Sequence, residues 1–337
     1  MRRLSVLIVG AALAIPAAAA AASPAATPTP AATAGAPRAA APASAGLTLA
    51  ARHVNGSVGA IVSDWDWTVH GAIAPYVPGQ RITLHVFRNG KRIITTTVAI
   101  HRDGDRGTFA SSLRIGGVGR ISVRAIHYAT PAQGLLVSHT YSIWLVAPAA
   151  QPGESSYAVR ILQHDLSALH YVVGAPGVYD AQTQQAVIAF RKLANLVRND
   201  VVDATVFQAL AAGAGVFTVR FPSQGRHVEG DLTHQVLALI GANGTVQRIY
   251  QISSGKPSTP TELGMYSVYW KEWGTNSDGM VDSNFFNGGD AIHGYAEVPT
   301  YAASHGCLRV WIPDAAAIYA WVRVGTPVDV YYRGMPI

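Results

Sequence analysis

The chain has 337 residues, of which 49% are hydrophobic and 13% are charged, and its formal net charge is +6. This length exceeds the usual single domain of about 100 to 200 residues, so we expect several folded units. The positive charge is spread thinly, without a long run of lysine or arginine, and no motif in the chain supports a nucleic-acid-binding protein.

The amino terminus has the pattern of an export signal. Residues 1–3, Met-Arg-Arg, precede an apolar stretch over residues 4–22 that ends in small residues. We expect cleavage of residues 1–22 and an exported protein, although an uncut stretch of this length would also serve as a membrane anchor. Residues 23–46 are almost entirely Ala, Pro, Thr, Ser and Gly. Such a segment has too few large apolar groups to fold and is predicted to be a disordered linker.

Residues 47–148 are predicted to form a β-sandwich that is immunoglobulin-like in its strand spacing alone. Residues 81–88 alternate between apolar and polar, Asn89-Gly90 is typical of a two-residue hairpin turn, and residues 91–98 form the returning strand. Two further strands are predicted, at residues 120–125 and 140–146. We assign no chemistry to this region.

Two tryptophans of the sandwich, Trp65 and Trp67, stand two positions apart and would share one face of a strand. Core packing explains them better than stacking on a sugar ring.

Residues 155–213 change to helical periodicity, with apolar residues recurring every three or four positions in three segments. Asp180 and Asp203 stand directly before the second and third segments, and aspartate is a preferred N-cap residue. The pattern predicts a bundle of three short helices.

The carboxy-terminal third is predicted to be mainly β, with one helix that opens at Pro313 and Asp314 and runs to about residue 322. Its strands are predicted at residues 227–231, 236–240, 246–252 and 326–332. Residues 269–284, which contain Trp270 and Trp273, lie between core strands. This segment is expected to be either a flap whose aromatic residues shield an active site or a plain surface excursion.

Cys307 is the only cysteine of the chain, and His305 stands two residues before it. In an extended segment these two side chains point to the same face, so the imidazole would reach the sulfur and favour the reactive thiolate. Gly306, which has no side chain, would let a substrate carbonyl approach the backbone, where amide groups are candidates for an oxyanion hole.

Two other interpretations of this cluster stay open on the residues alone. The cysteine could be buried and inert beside a core histidine. Two histidines and a cysteine could also bind zinc, but no second cysteine with ligand spacing exists in the chain.

Three segments together resemble a known family. Their sequences are Ser254-Gly255-Lys256-Pro257-Ser258-Thr259-Pro260, Phe285-Phe286-Asn287-Gly288-Gly289-Asp290-Ala291-Ile292-His293-Gly294-Tyr295 and Ser304-His305-Gly306-Cys307-Leu308-Arg309. In this order, with the His-Gly pair fourteen residues before the cysteine, they resemble the YkuD-type catalytic domain of bacterial L,D-transpeptidases over about residues 226–333.

The resemblance implies a mainly β fold and an acyl transfer on peptidoglycan without a cofactor or metal. Cys307 would attack the bond between the third and fourth residues of a stem peptide, and an amine of a second stem would resolve the thioester into a cross-link. It implies that His305 is the general base and that Ser304 orients its imidazole, through its main chain as much as its hydroxyl. It further implies that His293 lines the acyl pocket and that Arg309 hydrogen-bonds within the site or binds a substrate carboxylate.

Gly294 and Tyr295, adjacent to His293, are expected to contact the substrate, and Gly306 belongs to the catalytic turn. The chain departs from the family pattern at two acidic positions. Glu262 stands where a proline is usual, and Asp290 replaces a commonly apolar residue.

The helical region resembles a peptidoglycan-binding domain through the order Leu162-Gln163, Val173-Gly174, Gly177-Val178-Tyr179-Asp180, Thr183, Ala186-Val187 and Ala189-Phe190. The sequence therefore predicts an exported L,D-transpeptidase of the cell wall or a periplasm-like space, whose partners are peptidoglycan stems and glycan. An L,D-carboxypeptidase, a protein-to-wall transferase and an inert wall-binding protein remain alternatives.

Overall fold

The computed structural model describes residues 45–52 and 58–336. The predicted signal peptide and nearly all of the predicted linker lie outside these residues. Within the described part of the chain, no helix is both long and apolar enough to cross a membrane.

The first region consists of two packed β-sheets. Its strands are β1 (Gly46–Leu47), β2 (Ala50–Arg52), β3 (Ala60–Val62), β4 (Asp66–Ala74), β5 (Arg81–Arg88), β6 (Lys91–Ala99), β7 (His101–Asp103), β8 (Arg106–Arg114), β9 (Gly119–His127), β10 (Leu136–Val137) and β11 (Tyr141–Val146). One sheet has the order β1-β4-β8-β7 and the other β3-β11-β9-β5-β6, with β2 and β10 paired to β4 and β9. Both sheets contribute to one apolar core. The immunoglobulin-like assignment of this region stays a prediction.

The hairpin between β5 and β6 turns at Asn89 and Gly90, both of which have positive φ. A two-residue turn of this type matches the right-handed twist of the two strands. Trp67 is completely buried in the core between the sheets, which confirms its predicted packing role. Trp65 packs edge-on against Phe207 of the helical region, with 6.4 Å between ring centroids.

Three helices follow: α1 (Tyr157–Ala168), α2 (Ala181–Leu193) and α3 (Ala204–Ala211). The predicted N-caps are confirmed. The Asp180 carboxylate accepts a hydrogen bond from Thr183 N at 2.9 Å, and Asp203 accepts from the amides of the first turn of α3. These caps satisfy amide groups that have no partner within the helix.

The carboxy-terminal region contains two sheets and one helix. Its elements are β12 (His227–Asp231), β13 (Val236–Ile240), β14 (Val246–Gln251), β15 (Gly264–Ser267), β16 (Trp270–Thr275), β17 (Val281–Asn287), β18 (Asp290–Tyr295), β19 (Leu308–Trp311), α4 (Ile312–Trp321) and β20 (Pro327–Tyr331). The five-stranded sheet has the order β14-β13-β12-β20-β15, and the four-stranded sheet has the order β16-β17-β18-β19. The two sheets and α4 enclose a second apolar core.

The helices share a core with both β regions. Strand β13 is buried on both faces: Val236, Ala238 and Ile240 pack against the helices, whereas Leu237 and Leu239 face the core of the carboxy-terminal region. This division follows from the alternation of side chains along a strand. The helical region is therefore packed directly onto the five-stranded sheet of the carboxy-terminal region.

A buried lysine ties α2 to that sheet. Lys192 is 1% exposed, and its Nζ donates to Gln235 O, Gln251 Oε1 and Ile252 O at 2.8 to 2.9 Å. Burial lowers the pKa of Lys192 well below its usual value, and the positive charge of Arg198 contributes in the same direction. The three acceptors match the three donors of an ammonium group.

Candidate active site

Two parallel strands, β18 and β19, place most of the predicted site residues together. Their register pairs His293 with Arg309 and Tyr295 with Trp311. Paired residues of neighbouring strands point to the same face, and the residues between them, such as Ile292 and Leu308, are buried in the core. Cys307 precedes β19 by one residue.

These residues line a cavity of about 260 Å³, which we call the Cys307 cavity. It is lined by Asp278, Met280, His293, Tyr295, Ser304, His305, Cys307 and Arg309. Six of the eight predicted site residues are among them.

The thiol of Cys307 is only partly exposed. Its Sγ accepts from Ala291 N at 3.4 Å and donates to Gly289 O at 3.7 Å. Burial raises the pKa of Cys307, with a further contribution from the Asp290 carboxylate, and these effects exceed the opposing ones of the Ala291 amide and Arg309. The resting sulfur is therefore a protonated thiol that needs a base.

His293 is the buried imidazole in the Cys307 cavity and the candidate for that base. Its ring is 2% exposed, and its Nδ1 lies 2.9 Å from Gly294 O. A carbonyl accepts only, so Nδ1 carries the proton and Nε2 retains its lone pair. Burial lowers the pKa of His293 to about 4, and Arg309 contributes in the same direction, so the imidazole is neutral at neutral pH.

His305 is placed differently from the prediction. Its ring is exposed, and its Nε2 lies 2.9 Å from Lys256 Nζ, which as an ammonium must donate the hydrogen bond. The predicted approach to the sulfur assumed an extended segment. Residues 305–307 instead form a bend, and β19 begins only at Leu308. No hydrogen bond joins His305 to Cys307 in the described structure, and the contacts favour His293 as the base.

Ser304 is completely buried and holds the turn before the nucleophile. Its Oγ donates to Cys307 O at 2.6 Å and accepts from Gly306 N at 3.2 Å. Its carbonyl accepts from Lys256 N at 2.9 Å and from the Thr259 hydroxyl at 3.2 Å. The carbonyl of Ser304 was predicted to orient the His305 imidazole. In the structure, the carbonyl that contacts an imidazole is that of Gly294, and the imidazole is that of His293.

Gly306 has a φ of +134°, which side-chain-bearing residues rarely adopt. A Cβ at this position would lie 2.0 Å from Asp290 Oδ1. Its amide already donates to Ser304 Oγ. The glycine is thus required by the turn and by Asp290, and the amide of Cys307 is the better candidate for an oxyanion hole.

Gly294 faces away from the Cys307 cavity, against α4. A Cβ there would lie 2.9 Å from that of Ala315. We therefore correct its predicted contact with substrate to a packing role, in addition to its carbonyl contact with His293. Tyr295 and Arg309 do line the cavity, and the guanidinium carbon of Arg309 lies 4.0 Å from the centre of the Tyr295 ring.

The segment predicted as a flap or a surface excursion is the hairpin of β16 and β17. Asp278 near its tip and Met280 line the Cys307 cavity. The two tryptophans of this hairpin are not among the residues that line the cavity, so they do not form the predicted aromatic shield. Trp270 stacks on Phe285 with 4.7 Å between centroids, and Trp273 packs edge-on against Tyr319.

Sequence reasoning also missed two contacts that brace the nucleophile turn. Lys256 Nζ bonds His305, and the Thr261 hydroxyl donates to Gly306 O at 2.5 Å while accepting from Gly255 N at 2.9 Å. The role of Lys256 could have been predicted from the glycine-lysine-proline turn, which contributed to the family resemblance. No group of three or more His, Cys, Asp or Glu that could hold a metal ion is found among residues 45–52 and 58–336.

Asp290→Asn is expected to make Cys307 more reactive. Burial raises the pKa of Asp290 to about 6, with Glu262 adding to the effect, so this carboxylate is charged above that pH and opposes the thiolate. Its removal should lower the pKa of Cys307, and iodoacetamide should alkylate the variant a few-fold faster near pH 8. Near pH 5, where wild-type Asp290 is mostly protonated, the two rates should converge.

The control for this measurement is Asp278→Asn, which removes a carboxylate that lines the Cys307 cavity and should shift the alkylation profile far less. Equal alkylation rates of wild type and Asp290→Asn near pH 8 would contradict the assigned effect of Asp290.

Comparisons with known proteins match two parts of the chain to families. The family model of the L,D-transpeptidase catalytic domain matches residues 225–330, and that of a putative peptidoglycan binding domain matches residues 155–210. The crystal structure of an L,D-transpeptidase from Xylanimonas cellulosilytica is 35% identical, with a TM-score of 0.51, and the match covers 55% of this chain and 98% of that one.

Two further structures are similar at lower levels. A cysteine-to-serine mutant of the Enterococcus faecium L,D-transpeptidase is 28% identical over 32% of this chain and 50% of its own, with a TM-score of 0.29. An L,D-transpeptidase from Stackebrandtia nassauensis is 19% identical over 56% of this chain and 100% of its own, with a TM-score of 0.36. No curated protein matches the chain.

The β-rich carboxy-terminal region thus matches the L,D-transpeptidase catalytic domain, and the helical region matches a putative peptidoglycan binding domain. The chain belongs to the L,D-transpeptidase family.

Proposed function

We propose that this protein is an exported, cysteine-dependent L,D-transpeptidase that forms peptidoglycan cross-links through a thioester on Cys307. The observation that carries the proposal is that the Cys307 thiol and the buried imidazole of His293 line one cavity. His293 presents an unprotonated Nε2 from the strand next to the nucleophile, while Gly294 O holds its Nδ1–H.

In the first step, His293 Nε2 removes the thiol proton as Cys307 Sγ attacks the carbonyl that joins the third and fourth residues of a stem peptide. The imidazolium then returns that proton to the departing D-alanine amine, which leaves the acyl group on sulfur. The backbone amide of Cys307 is assigned to the oxyanion.

In the second step, a side-chain amine of another stem attacks the thioester. His293 takes a proton from the attacking amine and returns one to the sulfur, so the new amide forms and the thiol is restored. Arg309, held over Tyr295 at the wall of the cavity, is assigned to a substrate carboxylate. Ser304 and Thr261 act as positioning residues, because they fix the turn that carries Cys307.

The remaining regions are assigned from sequence and from the family matches. Residues 1–22 are proposed to be a signal peptide, residues 23–46 a tether and residues 47–148 an immunoglobulin-like spacer. Residues 155–213 are proposed to bind peptidoglycan, in keeping with the matched family model.

The reaction is tested by incubating the purified protein with disaccharide-tetrapeptide stems and resolving the products by mass. We expect cross-linked dimers together with released D-alanine. Tripeptides alone would identify an L,D-carboxypeptidase, in which water resolves the thioester. No turnover, with wall binding intact, would identify an inert wall-binding protein and contradict the proposal.

A further inference from the structure

A pair of aromatic side chains lies stacked on the surface where the first β region meets the helices. Trp144 of β11 is 41% exposed and Tyr157 of α1 is 39% exposed. Their ring centroids are 6.0 Å apart, with 20° between the ring planes. Each region supplies one ring, so the pair exists only because the two regions are packed together.

Trp144 and Tyr157 are exposed because residues near them in sequence are buried in the cores. Ile143 and Leu145 on either side of Trp144 are 2% exposed and pack in the β core, so alternation turns Trp144 outward. Tyr157 begins α1, whose opposite face contributes Val159 and Leu162 to the core shared with the helices. Partly exposed aromatic groups of this size are characteristic of binding surfaces.

Two cavities continue the surface along α1. One of about 320 Å³ is lined by Ser155, Ser156, Tyr157, Arg160, Pro176 and Gly177. The next, of about 390 Å³, shares Arg160, Pro176 and Gly177 with the first and adds His164 and Ser167 of α1. Val58 from the first β region closes its far side.

The polar residues of these cavities follow the pitch of the helix. Tyr157, Arg160, His164 and Ser167 are spaced by three or four positions, so they share one face of α1. At 1.5 Å per residue this row extends for about 15 Å, which is longer than a single sugar ring. The row suits an extended polymer better than a compact metabolite.

The loop opposite this row is held in place by one buried side chain. Gln163 Nε2 donates to Ala175 O and Val178 O at 2.9 Å, and Gln163 Oε1 accepts from Gly177 N at 2.6 Å. Gly177 has a φ of +81°, and a Cβ there would lie 2.8 Å from Arg160 Nε. The loop side of the two cavities is therefore preorganised, and Arg160 lines both of them.

We propose that Trp144, Tyr157 and Arg160 form the binding surface for the glycan strand of peptidoglycan. The carbon-bound hydrogens of sugar rings pack on the aromatic pair, and Arg160, His164 and Ser167 hydrogen-bond to hydroxyl, acetamido and carboxylate groups along the strand. The inference rests on the proposed function for its ligand. It adds that the first β region, through Trp144, is part of the wall-binding site rather than a spacer alone.

The test is cosedimentation of the protein with purified, insoluble peptidoglycan. Measurements use the Cys307→Ala background, so that no acyl-enzyme contributes to retention. We expect Trp144→Ala and Arg160→Gln each to weaken binding about tenfold, and peptide-free glycan oligomers to compete with the wall. Arg160→Gln leaves the aromatic pair untouched and therefore remains informative if Trp144→Ala does not fold.

The matched control is Trp273→Ala, which removes a tryptophan that is 67% exposed in the catalytic region. It should bind the wall like the parent protein. Equal binding by the parent, Trp144→Ala and Arg160→Gln would overturn the proposal, as would competition by stem peptides but not by glycan.

The two proposals fail in distinguishable ways. Cross-linking of soluble stems by the wild-type protein, with wall binding that does not depend on Trp144 or Arg160, removes only the glycan surface. Wall binding that depends on these residues, without turnover of stems, removes only the proposed reaction.

Discussion

Replacing Cys307 with alanine is expected to abolish both turnover and the covalent acyl-enzyme. The thioester requires the sulfur, and the chain contains no other cysteine to replace it. Intact-protein mass spectrometry after incubation with a tetrapeptide stem should show an acyl adduct on the wild type alone. The same mass measurement with iodoacetamide should show one modified site on the wild type and none on the variant.

The variant should remain folded, since the described contacts of the thiol side chain are two long hydrogen bonds, to Ala291 N and Gly289 O. Its thermal unfolding should therefore stay within a few degrees of that of the wild type. Cross-linking by a folded Cys307→Ala protein would refute the covalent mechanism.

Replacing His293 should lower the rate of acylation far more than replacing His305. His293→Gln removes the neutral Nε2 assigned to the thiol proton, and loss of a general base typically lowers the rate by about 10² to 10⁴. His305→Gln removes a ring whose observed partner is Lys256, and should lower the rate less than about tenfold. The measurement is the single-turnover rate of acylation.

Alkylation of the thiol is the control for both variants. Neither variant should lose the ability to be alkylated at high pH, where the thiolate forms without a base. A large loss of acylation rate in His305→Gln, with near-normal acylation in His293→Gln, would return the base role to His305.

Local structure was largely predictable from the sequence. The N-caps at Asp180 and Asp203 and the Asn89-Gly90 turn depend on a few adjacent residues, and each was found as expected. Strands β12 and β13 coincide with the predicted segments. These features were predictable because capping and turn geometry depend on residues that are close in sequence.

The placement of the proposed base, His293, in the cavity of the proposed nucleophile was not predictable in the same way. His305 is close to Cys307 in sequence, but Gly306 has a positive φ and bends the chain between them. His293 is fourteen residues away and reaches the cavity because β18 and β19 pair in parallel. Strand pairing across such a distance depends on the whole sheet, so it cannot be predicted from a short sequence motif.

The sequence by itself indicated the candidate nucleophile, the family resemblance, and the helices and hairpins, because each depends on residue identity or on local spacing. Only the tertiary structure decided that the buried imidazole of His293 lines the Cys307 cavity, that Asp290 packs against Gly306, and that Lys192 joins the helices to the carboxy-terminal sheet. The physical reason is that burial and long-range pairing set the pKa values and hydrogen-bond partners of these groups, and both arise only when distant segments pack together.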